Sequence, residues 1–220
     1  MAVPMQVGSE ARSMLLPART KSLRFSPTEI RHLILGTALV TAVGISLILQ
    51  NGNIFATNGY LGIAVATVLF AMGFILHELA HKYVAQGYGL WAEFRVNTFG
   101  VLLTAVSIVS PLKFIAPGAV VISGMADNDR MGRTAIAGPI VNVVIAMGLL
   151  VTLPALGQTM IGPAVLYGAA INSFLALFNL IPFSIFDGRK IFVWNKRYWA
   201  IVFILAVALT AYTYLLLPSL

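Results

Sequence analysis

Residues 61–85 form an apolar run that carries no charge until its last turns, where His77, Glu78, His81 and Lys82 enter as HELAHK. As a helix, such a run is about 37 Å long, enough to cross the roughly 30 Å hydrocarbon core of a bilayer. Backbone in lipid must satisfy its own hydrogen bonds, so this stretch has to be helical and the rest of the chain must be placed around it. Side chains four apart stack on one helix face, so His77 and His81 can offer two imidazole nitrogens to one metal ion, with Glu78 beside them. The spacing suits two zinc ligands and a carboxylate free to accept a proton from activated water. The alternative is a pair of histidines satisfied by backbone carbonyls near an interface.

Composition narrows the setting. With 59% hydrophobic residues, 10% charged residues and a mean hydropathy of +0.91, the 220-residue chain is excluded from the ordinary soluble class. The formal charge of +7 and pI near 10.0 would suggest nucleic acid in a soluble protein. In a membrane protein, Lys and Arg accumulate in cytoplasmic loops for reasons of insertion, so no nucleic-acid partner is expected. The chain has no cysteine, which excludes disulfides and thiolate-bound metal and leaves His, Asp and Glu as strong ligands. There are only three histidines, His32, His77 and His81, and of the seven acidic residues only Glu78 and Asp187 adjoin long apolar runs. An ionisable group within such a run reads as functional by default.

In chain order, residues 1–30 are expected to form a mobile, basic cytoplasmic tail, and 31–220 a single membrane-embedded domain. The apolar run at 33–49 reads as a signal anchor and first span, followed by an external turn at 50–60. Later spans are expected at 134–153, 165–186 and 198–217. Residues 91–124 are apolar enough to count as another crossing. If they instead enter and return on one side, all 14 basic residues fall on the cytoplasmic face, including Lys113. The segment is then expected to comprise a strand at 92–96, a re-entrant or interfacial helix at 99–114 and a second strand at 118–123. The fold class is thus an all-α polytopic membrane protein. It has five to six transmembrane helices, with a short re-entrant strand/helix segment between the zinc-motif helix and the next span. It is expected to be multi-pass in the cell membrane, with a cytoplasmic N-terminus.

A catalytic zinc typically takes three protein ligands and keeps a position for water. Asp187, expected at the inner end of the fourth span, would complete a His-His-Asp set at one depth. His32 is the rival, although the adjacent Arg31 disfavours a cation there.

Three motifs in order, HELAH at 77–81, AGPIVN at 137–142 and NLIPFSIFDG at 179–188, resemble the site-2 protease family of intramembrane zinc metallopeptidases, peptidase family M50. The resemblance covers roughly residues 60–200. It implies that His77, His81 and Asp187 bind zinc and that Glu78 is the catalytic base. It places Asn179 near the metal, where its amide can hydrogen-bond the developing oxyanion or else link spans from a helix interior. Asn142 is implied to bind substrate backbone, with an interhelical hydrogen bond as the alternative. Gly138 and Pro139 suit close helix approach. The implied activity is hydrolysis of a peptide bond within or near a transmembrane segment of a substrate protein. The strand containing Val120 and Val121 would hold that substrate extended by edge pairing. A zinc-binding transporter and a catalytically silent relative that binds membrane proteins are the competing readings.

Overall fold

The long apolar runs are helical, and proline or glycine stands at most of the breaks between helices, the break at Asn195 being an exception. The computed structural model describes residues 23–50, 59–183 and 186–217. Its elements are α1 (Pro27–Gln50), α2 (Gly59–Gly87), β1 (Trp91–Val96), α3 (Thr98–Val109), β2 (Gly118–Ser123), α4 (Asn128–Leu156), α5 (Gly162–Asn179), α6 (Asp187–Trp194) and α7 (Lys196–Leu216). Of these, α1, α2, α4 and α7 are long and apolar enough to cross a membrane, which marks the chain as a membrane protein. Most of the tail expected at 1–30 and of the turn expected at 50–60 lies outside the described residues.

The helix α5 differs from those four. It has 18 residues, about 27 Å of rise, and does not reach their combined length and apolarity. Every residue from Gly162 to Ser173 is buried, with α2, α4 and α7 packed around it. A helix buried on all sides packs against protein. It also ends earlier than the expected 186. Pro182 lacks an N–H and disfavours helical backbone at Ile181, so the helix stops at Asn179. Asp187 is therefore not the end of a span but the first residue of the separate helix α6. Gly188 lets the chain fold back there, since a Cβ would lie 2.6 Å from the Ile181 carbonyl oxygen.

Between α2 and α4 the chain makes an antiparallel hairpin close to the expected strands, with Trp91 opposite Ser123 and Val96 opposite Gly118. The intervening α3 is shorter than expected, because Pro111 holds Ser110 extended (φ −75°, ψ 145°) and ends the helix at Val109. The returning strand of chain is satisfied by α3 side chains: Ser107 Oγ accepts from the Phe114 N–H (2.9 Å) and Thr104 Oγ1 from that of Ala116 (3.3 Å). At the turn, Lys113 Nζ donates to the Ser107 carbonyl (2.8 Å) and to Ser46 Oγ on α1 (3.0 Å). Ser46 is about 28 Å along α1 from Pro27. The charge count grouped Lys113 with the basic residues near Pro27, and the structure places it at the opposite end. The carbonyls at the end of α3 have no partners within the helix, and the lysine ammonium supplies them.

The hairpin is anchored at its base by a buried ion pair. Lys82 Nζ donates to Glu29 Oε2 at 2.5 Å and to the Ala92 carbonyl at 3.0 Å, while Glu29 Oε1 accepts from the Phe94 N–H at 3.0 Å. Both charged side chains are almost wholly buried, so each depends on the other and on these backbone partners. Above them Phe94 meets Phe74 edge to face, joining a core with Val40, Ile48, Phe70, Tyr167 and Ile171. The first turns of α1, the last turns of α2 and β1 are thus held as one unit.

Candidate metal centre

The last turns of α2 place His77 and His81 on one face, as their spacing requires. Asp187 reaches them from the first turn of α6. Its Oδ2 lies 2.9 Å from His81 Nε2 and 3.5 Å from His77 Nε2, and the two Nε2 atoms are 3.0 Å apart. Both histidines are buried and Asp187 is largely so. His32, the rival third ligand, is not part of this cluster.

The partners of the imidazoles fix which nitrogen carries hydrogen. His81 Nδ1 lies 2.8 Å from the Thr134 carbonyl, an acceptor only, so Nδ1 must donate. His77 Nδ1 lies 2.5 Å from Asn142 Oδ1, and the Asn142 amide is oriented by its Nδ2, which donates to the Gly73 carbonyl at 3.1 Å. In the neutral form each ring therefore turns an unprotonated Nε2 toward the Asp187 carboxylate. Three acceptors facing one point call for a cation, and two imidazoles with one carboxylate suit zinc. Space is reserved as well: a Cβ at Gly138 would sit 2.7 Å from His77 Nε2 and 2.7 Å from His81 Cε1. The residues thus fit a bound divalent ion.

Glu78 lies beside the cluster, buried, and its Oε2 has no hydrogen-bond partner among the described residues. A cleft of about 210 Å³ opens over the three acceptors and Glu78, bounded by Phe74, Leu103, Ile115, Val120, Leu175 and Asn179 among others. Asn179, at the end of α5, lines this cleft. Its Nδ2 donates to the Leu175 carbonyl one turn back (2.9 Å), within its own helix rather than between spans. The Asn142 amide is engaged with His77, Gly73 and Asn172, which is the interhelical arrangement.

The two valines of β2 face different ways. The Phe94 N–H points away from β2 to Glu29, and the Ala92 carbonyl points away to Lys82. Their partners in register, Val120 and Ile122, therefore occupy non-hydrogen-bonded positions and direct N–H and C=O outward to the free edge. Val121, opposite Glu93, spends its backbone groups on β1.

Two contributors are missing from the sequence reading. The Thr134 carbonyl is backbone and has no signature there. Lys190, whose Nζ is 3.1 Å from Asp187 Oδ1, stands three residues beyond Asp187, and helical spacing from the acid could have found it.

Spanning-length helices around a buried three-acceptor site define a metal-binding membrane protein. The chain is 37% identical over 185 residues to a protein of Methanocaldococcus jannaschii named as a putative zinc metalloprotease, an overlap of 81% of this chain and 91% of that one. A second protein of that organism, named as a zinc metalloprotease, is 30% identical over 175 residues, covering 78% of this chain but 44% of the relative. One from Synechocystis, named as a putative zinc metalloprotease, is 33% identical over 143 residues, 60% of this chain and 31% of its own length. The chain therefore spans less than half of the last two relatives. No family model matches the chain, and no solved structure does. The chain belongs to this family of zinc metalloproteases, and zinc is its cofactor.

Proposed function

We propose that this zinc metalloprotease is of the site-2 type and hydrolyses peptide bonds within or near transmembrane segments of substrate proteins. The observation that carries the reading is the convergence of His77 Nε2, His81 Nε2 and Asp187 Oδ2 beside Glu78, whose Oε2 has no hydrogen-bond partner among the described residues, all within a chain of spanning-length helices. These three atoms would hold the zinc. When bound, zinc supplies Lewis-acid chemistry, polarising a substrate carbonyl and making water a competent nucleophile near neutral pH. Glu78 Oε2 takes the proton from the attacking water and returns it to the leaving amine. Asn179 Nδ2 has a second hydrogen besides the one on Leu175, and it donates to the carbonyl oxygen as negative charge develops there. The outward N–H and C=O groups of Val120 and Ile122 pair with substrate unwound into an extended strand, and Val121 keeps that edge in place.

In this reading α5 is also a span, the fourth of five in chain order, shielded from lipid by its neighbours, and the β1–α3–β2 hairpin is re-entrant. The N-terminus is cytoplasmic, the protein lies in the cell membrane as one embedded unit over 31–220, and basic residues other than Lys113 face the cytoplasm. A transporter would require ligands at successive depths, whereas the described His, Asp and Glu residues supply a single cluster. The test is Glu78→Gln in protein reconstituted with a single-span substrate. Zinc content should stay at the wild-type level while the cleavage rate falls by about 10²–10⁴-fold. Undiminished cleavage would remove Glu78 from its role, and zinc retained by both His77→Ala and Asp187→Ala would remove the site.

A further inference from the structure

Asn172, in the middle of α5, is wholly buried and has no part in the chemistry above. Its hydrogen bonds have a direction that can be read without seeing hydrogens. Asn172 Nδ2 lies 2.9 Å from the Gly168 carbonyl, which can only accept, so the amide nitrogen must face it. Asn172 Oδ1 is thereby turned to Asn142 Nδ2 at 2.9 Å. Asn142 Nδ2 also meets the Gly73 carbonyl, so Asn142 Oδ1 is turned to His77 Nδ1. Two backbone carbonyls, on α2 and α5, thus set the sense of a relay that ends on an imidazole. The helix α2 is cut away to admit it, because a Cβ at Gly73 would come 3.0 Å from Asn172 Cγ and collide with Oδ1.

We infer that Asn172 is a positioning residue for zinc: through Asn142 it fixes the tautomer and ring plane of His77, so that Nε2 rather than Nδ1 carries the lone pair at the metal. The inference rests on the assignment of His77, His81 and Asp187 as ligands. His81 needs no such relay, since a main-chain carbonyl holds it directly. His77 is held by an amide that can rotate by half a turn and exchange its donor for its acceptor. Asn172 opposes that freedom together with the Gly73 carbonyl, because a flipped Asn142 would turn its oxygen toward both of their oxygens. A relay through a side chain from α5 also makes the geometry of the metal site depend on how α5 seats against α2.

The experiment uses the full chain in detergent with Asn172→Leu, which deletes the amide at similar volume, and Asn172→Ser. The serine hydroxyl can satisfy itself on the Gly168 carbonyl, so this milder variant cuts only the link to Asn142. Zinc affinity is measured by competition with a chelator of known strength, and the histidine tautomers of the zinc-free protein by ¹⁵N chemical shifts. Both variants should bind zinc about 10–100-fold more weakly. The His77 signal should move from a single Nδ1–H form to a mixture while that of His81 stays put. Zinc affinity within twofold of wild type together with an unchanged His77 tautomer, in either variant, overturns the role of Asn172. Zinc retained at full strength in His81→Ala and Asp187→Ala overturns the ligand assignment instead, a separate failure.

Discussion

At the scale of single residues, the centre is defined as much by an atom left out as by those present. Gly138 has no side chain where α4 passes the two imidazoles, and an alanine there would press against the Nε2 atoms of both. Gly138→Ala should therefore lose most of its zinc, by metal analysis of purified protein, with helix content by circular dichroism unchanged; zinc bound at wild-type affinity would show that the helices yield. The histidine spacing was legible in the sequence because a helix converts four residues into one face. What orients the rings was not, because it comes from distant parts of the chain: His77 meets Asn142 across 65 positions and His81 the carbonyl of Thr134 across 53. Motif spacing reports local geometry, and these contacts are set only when α4 docks on α2.

At the scale of elements, the hairpin divides its labour by parity. Proline at position 120 removes one N–H from the free edge and leaves the pairing with β1 intact. Val120→Pro should slow cleavage about 3–10-fold, the worth of one backbone hydrogen bond, with zinc content and thermal stability unchanged. Val121→Pro removes an N–H that faces Glu93 instead, so it should lower the unfolding temperature as well as activity. Equal effects from the two prolines in both assays would argue against edge binding. The strands themselves were readable from the sequence, since Ala119, Val120, Val121 and Ile122 follow Pro117 and Gly118 and precede Gly124. The fourth apolar run was read too far, to 186, because the apolar residues on both sides of Pro182 make a continuous hydropathy signal. Hydropathy does not register a missing N–H, and the resulting break is what frees Asp187 to approach the histidines from a helix of its own.

For the whole molecule, the side of the membrane that each segment reaches decides how a substrate and water enter. The chain has no cysteine, so single cysteines can be introduced without background. Leu112→Cys, at the exposed turn next to Lys113, and Lys196→Cys, at the exposed start of α7, should react with a membrane-impermeant maleimide from opposite faces of sealed vesicles. Labelling from one shared face would overturn the depth assigned to the turn. The overall layout was visible in the alternation of apolar runs and basic flanks, but Lys113 defeated the charge count because a rule about loops cannot see an ammonium used as a helix cap.

That lysine also ties the hairpin to α1 at a second point. Glu29 holds the Phe94 N–H near the start of α1, Phe94 stands against Gly36 midway, and Lys113 reaches Ser46 near its other end. The hairpin is thus registered along most of the length of one helix, so a tilt of α1 carries β2 with it and resets the width of the cleft above the two imidazoles.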